Sequence, residues 1–228
     1  MHLRKLLIST AILLAPAALT AAPASAAPVL VTNESCYLVG QRVGITGTGF
    51  AASRPFQLAV DGVSLGTSTT NASGGFSASV IPGGLGANVV QYPHALVATD
   101  GTNSASTKFT VTRTTGARIL ASTGSASSLR APFQVWGFAF DHGKLSPYAT
   151  TGNTQLPLYV HYLSPKKRLK GTKALGRTGG QCGYLRTSAR RVFPFTPSRG
   201  TWTLQVDSQS TYTAHPTGPV AKIILRVS

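Results

Sequence analysis

FQLAVDGVSLGTST, residues 56–69, decides the fold class. Two runs rich in Val, Leu, Thr and Phe flank Asp61-Gly62. Both central positions of a type I′ turn need positive φ, which Asp-Gly supplies at little steric cost. The stretch therefore predicts two antiparallel strands joined by a two-residue turn. Similar segments recur on either side: residues 28–32, 42–47, 75–80, 95–99 and 107–112 are rich in β-branched and aromatic side chains. Turn signals separate them, notably at 71–75 and 100–103. After Ala27 no stretch repeats apolar residues at helical spacing over a useful length. Seven short strands within about 85 residues predict a two-sheet sandwich.

The second half reads as β structure with larger loops, over residues 118–122, 132–138, 158–163, 169–175, 182–186, 190–195, 201–207 and 220–227. Around Val160, alternation places Leu158, Val160 and Tyr162 on one face and Tyr159, His161 and Leu163 on the other. Tyr159 and His161 are the side chains expected to be exposed. Residues 164–168 make a Pro-containing basic hairpin loop. Trp136 and Trp202 sit beside Phe133, Phe138, Leu204 and Val206, where core packing is the expected role.

The chain opens with Arg4 and Lys5, an apolar run over 6–14 too short to span a bilayer, and the small residues Ala24-Ser25-Ala26. This pattern predicts a secretory signal removed after Ala26 and a secreted, extracellular product with no membrane span after cleavage. The expected organisation is all-β: two immunoglobulin-like β-sandwich domains in tandem after a signal peptide. The signal covers 1–26, the first sandwich 27–112, a linker 113–117 and a basic β-sandwich 118–228.

The charge distribution supports that division. The chain has 21 Lys and Arg against 5 Asp and Glu. Between Ala27 and Thr112, Arg42, Arg54 and Lys108 balance Glu34, Asp61 and Asp100, so this part is neutral. From Arg113 onward, 16 basic residues face only Asp141 and Asp207, a net of +14. The step falls at TRTTG, which reads as a short linker.

Two resemblances follow from particular residues. GQRVGITGTGF, residues 40–50, resembles the opening of bacterial immunoglobulin-like domains of the IPT/TIG kind, in which an alternating strand runs into a Gly-x-Gly-Phe bend. The resemblance implies that Val43 and Ile45 face a core, that Gly47 and Gly49 allow the bend, and that the module is a scaffold or adhesive unit. YVHYL, LGRTGGQCG, FPF and GTWTLQVD together look like a C-terminal domain of secreted actinobacterial proteins, covering roughly Phe133 to the end. That resemblance implies a fold and a compartment, and no activity.

Two cysteines, Cys36 and Cys182, occur in the chain, one in each expected domain, in a compartment that favours oxidation. A bond would clamp the two sandwiches together. The sequence leaves open both that bond and two thiols that never meet, because bridging requires Cα atoms within about 7 Å. Two isolated cysteines make no metal site, and no cofactor is expected.

Catalytic chemistry finds little material. Glu34 and the scattered Asp61, Asp100, Asp141 and Asp207 are a thin supply for a paired-carboxylate hydrolase. His94, His142, His161 and His215 lack the spacing of a helical zinc motif. No GxSxG elbow or phosphate loop is present. Asp141-His142 before Gly143 reads better as a polar turn than as a catalytic pair. The expectation is a protein that is not an enzyme, with an unrecognised extracellular hydrolase as the weakest alternative.

What remains is the basic tract. Lys166, Lys167, Arg168, Lys170, Lys173, Arg177, Arg186, Arg190 and Arg191 lie within 26 residues containing no acid. They make a candidate polyanion-binding surface for an anionic cell-wall polymer or acidic polysaccharide. Nucleic acid fits less well, since Tyr184 is the lone aromatic residue inside the tract to stack on bases. The competing reading is a structural or protein-interaction module whose charge only keeps it soluble and protects its strand edges. Oligomeric state is not legible in the sequence.

Overall fold

The computed structural model describes residues 27–120, 125–141, 143–145 and 155–228. The expected signal segment and His142 lie outside the described residues, and every regular element among those described is a strand. The first eight are β1 (Val29–Thr32), β2 (Cys36–Leu38), β3 (Val43–Thr48), β4 (Pro55–Val60), β5 (Val63–Thr69), β6 (Phe76–Val80), β7 (Gln91–Thr99) and β8 (Ser104–Thr112). They form two sheets, ordered β1-β3-β6 and β2-β8-β7-β4-β5.

The chain passes between these sheets at β1–β2, β2–β3, β3–β4, β5–β6 and β6–β7, and this order is that of an immunoglobulin-like sandwich. Asp61 and Gly62 take φ of 50° and 79°, both positive as a type I′ turn requires. β2 leaves no signal in the sequence: three residues are too few to show a period. It pairs in parallel with β8 and carries the buried Cys36 and Tyr37.

The core between the sheets contains Leu30, Val43, Ile45, Phe56, Phe76, Leu96 and Phe109. Val43 and Ile45 face it as expected. The two glycines after them have different roles. Gly49, at φ 77°, makes the bend. Gly47 lies within β3, where an added Cβ would collide with the Phe76 ring, so it serves close packing instead.

The remaining strands are β9 (Gly116–Ile119), β10 (Arg130–Ala131), β11 (Phe133–Trp136), β12 (Phe140–Asp141), β13 (Lys144–Leu145), β14 (Pro157–Leu163), β15 (Leu169–Arg177), β16 (Leu185–Arg186), β17 (Arg190–Arg191), β18 (Gly200–Asp207) and β19 (Ala221–Val227). A sheet ordered β16-β11-β9 opposes one ordered β15-β14-β18-β19, and β10-β17 and β12-β13 form small separate pairs. Phe133, Val135, Leu158, Val160, Tyr162, Trp202, Leu204 and Val206 belong to the core cluster here.

Trp202 is buried as expected, its Nε1 donating to Ser198 O at 2.8 Å. Trp136 is only partly buried; its Nε1 donates to Thr114 O and the Arg118 guanidinium stands 5.8 Å over its ring. The expected strands at 182–186 and 190–195 shrink to two residues each. Gly180 and Gly183 turn the chain with φ of 69° and 67°, and Pro194 has no N–H for a ladder. Phe193 and Phe195 instead pack on Tyr162 and Trp202.

The two pairs of sheets are tied together. Cys36 and Cys182 form a disulfide with Cα atoms 5.4 Å apart, settling the pairing that the sequence left open. Ala139 and Phe140 are buried around it. Thr110 Oγ1 donates to Gln181 Oε1 at 2.8 Å and Arg118 Nη2 to Asn88 O at 3.1 Å.

Candidate functional site

The β14–β15 hairpin presents the first group of cations. Its turn is closed by Lys167 N donating to Ser164 O at 2.8 Å and Ser164 N to Arg168 O at 2.9 Å. Lys167 adopts φ 58°, uncommon for a residue with a Cβ. Its Nζ lies 3.3 Å from Thr203 Oγ1, while Lys166, Lys167 and Arg168 are all exposed. The basic loop foreseen at 164–168 is therefore a tight turn at the tip of the hairpin.

β15 is one of the two edge strands of its sheet. Lys170, Lys173 and Arg177 are exposed along it, which is how natural sheets discourage edge-to-edge pairing. The chain then returns beside this strand. Arg190, half-buried, donates from Nη1 to Ala174 O of β15 at 3.1 Å, and its buried Nε has no hydrogen-bond partner among the described residues. Arg191 is exposed on β17. Arg186 lies on β16, opposite Gln134 of the facing sheet.

Eight of the nine residues thus follow the hairpin and the β17 segment beside it, and Arg186 stands on the second sheet. One basic residue was missed. Arg130 is far from the tract in sequence, yet β10 places it directly opposite Arg191. No local signal could have found it, because strand pairing across 61 residues makes the contact. Among the described residues none of these cations is in a salt bridge; the ion pairs present are His94–Asp61 and His161–Asp207. The surface is uncompensated positive charge. Burial pushes the nearby Tyr162 hydroxyl up to about 12, with the Arg190 charge opposing that shift.

The exposure expected at His161 is overturned. His161 and Asp207 have no exposed surface, and Tyr159 is only partly exposed. The reason is the segment 208–219, which folds over this face of the sheet. His161 Nε2 lies 3.2 Å from Asp207 Oδ1 and Nδ1 lies 2.8 Å from Thr172 Oγ1. Gln205 Nε2 donates to Asp207 Oδ2 at 2.8 Å and to Thr213 O at 2.9 Å, and Gln209 N donates to Asp207 Oδ1. A hydroxyl, an imidazole and a carboxylate in line resemble a nucleophilic relay. Here the imidazole and carboxylate are sealed from solvent, so the chain of bonds pins the covering segment.

The second pair has another role. Asp61 accepts from Ala95 N at 2.8 Å and lies 2.7 Å from His94 Nδ1, fixing the hairpin turn against β7. Burial would raise its pKa, but those two partners outweigh burial and hold it below the ordinary aspartate range. The buried Nε2 of His94 meets no partner among the described residues. Asp141, placed in the sequence at a polar turn, pairs across to Lys144 of β13 with Gly143 at φ 80° between them. No group of three or more potential metal ligands occurs among the described residues.

No family model matches the chain, and no curated protein matches it. Among solved structures it is similar to the fibronectin(III)-like modules of Clostridium thermocellum CbhA, at 10% identity and TM-score 0.29, covering 87% of this chain and 94% of that one. It is also similar to the titin Ig tandem domains A164-A165, at 10% identity and TM-score 0.36, covering 87% and 95%. A third is Salmonella alpha-2-macroglobulin, at 14% identity and TM-score 0.31, covering 88% of this chain and 14% of that one. The immunoglobulin-like assignment rests on the strand order above.

Proposed function

We propose that this chain is a secreted, non-catalytic immunoglobulin-like protein that associates with an anionic cell-envelope or extracellular polymer through the basic β14–β15 edge. The reading includes kinship with IPT/TIG-type modules and with secreted actinobacterial proteins, on the motifs quoted above. One observation carries it: same-sign charges line an exposed edge strand, its tip and the β17 segment beside it, with no salt-bridging carboxylate among the described residues. Edge protection accounts for Lys170, Lys173 and Arg177 on β15 but not for the cations gathered at the hairpin tip and on β17, whereas a polyanion gains from meeting all of them at once. The Cys36–Cys182 bond and the expected signal support an extracellular setting.

The test is pull-down of protein lacking residues 1–26 by cell-wall preparations and acidic polysaccharides over a salt series. Its comparison is a variant with Lys166, Lys167, Arg168, Lys170 and Lys173 changed to Gln. Binding that weakens steeply with salt and disappears in the variant supports the reading. Salt-independent capture of a protein partner, unchanged in the variant, would replace it with an interaction module of incidental charge.

A further inference from the structure

The face of the sheet behind the hairpin tip carries a hollow that the basic edge does not explain. Lys167, Thr203, Gln205, Tyr212, Lys222 and Ile224 are among its lining residues, and its volume of about 410 Å³ lies in the range of small-molecule clefts. Its floor is set by register. Leu163, Thr203 and Ile224 form one row across β14, β18 and β19, and His161, Gln205 and Lys222 form the next. The hairpin tip bounds it at Lys167 and the 208–219 segment bounds it at Tyr212 and His215.

Each lining group has a chemical preference. Lys167 and Lys222 are exposed cations, and no carboxylate is among the lining residues. Thr203 offers a hydroxyl already reached by Lys167 Nζ at 3.3 Å. Gln205 commits its Nε2 to Asp207 and Thr213, so its Oε1 is left as an acceptor at the floor. Tyr212, held near His161 with ring centroids 5.7 Å apart, supplies an aromatic wall. Ile224 is an apolar side chain left 60% exposed.

We infer that this hollow binds one anionic sugar residue. The negative group lies between Lys167 and Lys222, hydroxyls meet Gln205 Oε1 and Thr203, and the apolar ring face rests on Tyr212 and Ile224. The inference builds on the polymer-binding reading, since Lys167 belongs to both surfaces: the edge supplies general attraction and the hollow recognises a unit of the chain.

The experiment is NMR titration of the isotope-labelled protein lacking residues 1–26 with glucuronic acid, glucose 6-phosphate, glucose and inorganic phosphate. Both acidic sugars should shift the amides of Thr203, Gln205 and Ile224. Lys222→Gln, an exposed position that leaves the fold intact, should weaken them about tenfold, as loss of a charged hydrogen bond does. Neutralising Lys166, Arg168, Lys170 and Lys173 should leave these shifts in place. Equal binding of glucose, equal binding of phosphate alone, or absence of shifts at the floor would overturn the inference. Polymer capture with no sugar bound in the hollow sinks this inference alone; sugar binding with no polymer capture sinks the edge reading alone.

Discussion

Arg130 of β10 and Arg191 of β17 stand directly opposite each other in an antiparallel pair. Both side chains are exposed, and Arg130 Nη2 reaches Ala189 O at 3.3 Å. Like charges in this position oppose pairing by about 0.2–1 kcal/mol. Holding them together makes sense where an outside anion relieves the repulsion.

Arg191→Gln should therefore raise thermal stability slightly at low salt, with the gain fading as salt screens the pair. The same variant should bind acidic polymer less well. Melting curves at two ionic strengths, together with the pull-down, check both halves.

The Cys36–Cys182 bond closes a sequence separation of 146 residues. On the chain-entropy account so long a loop contributes about 5 kcal/mol. Replacing both cysteines with Ser should lower the melting temperature by roughly 10–20 °C for a protein of this size. Calorimetry of the variant, and of the native chain with and without reductant, measures the loss.

Asp207 should be the residue on which the 208–219 segment depends. It accepts from Gln205 Nε2 and Gln209 N and lies against His161, all without exposed surface of its own. Asp207→Ala takes the partner from the fully buried His161 Nε2, at about 1–3 kcal/mol for a group left unsatisfied, removes the acceptor of Gln209 N, and leaves Gln205 Nε2 only its bond to Thr213 O. Hydrogen exchange should show faster exchange at 208–219, with the N-terminal sheets unaffected.

Tyr162 sets a limit at high pH. Its hydroxyl is pushed from 10.0 to about 12 by burial. A raised folded-state value means the unfolded chain loses its proton first. The contribution is intact below pH 10 and is lost as pH rises toward 12, by about 1.4 kcal/mol per pH unit. Denaturant unfolding between about pH 9 and 12 should show this decline, and Tyr162→Phe should remove that part of the slope.

The sequence by itself determined the strands whose signals are local. Asp61-Gly62 carried its turn chemistry openly, and the alternation of Val43 and Ile45 declared which face is buried. The basic character of the hairpin after β14 was equally plain, because composition needs no partner to be read. Only the tertiary structure decided what lies on top of a face or beside an edge. His161 alternates like an exposed residue and is buried because 208–219, nearly fifty residues later, folds over it. Arg130 joins the cationic edge through pairing with β17, and Cys36 meets Cys182 because β2 runs parallel to β8 at the boundary between the sheets. In each case the deciding contact joins residues distant in sequence, where periodicity and composition carry no information about distance.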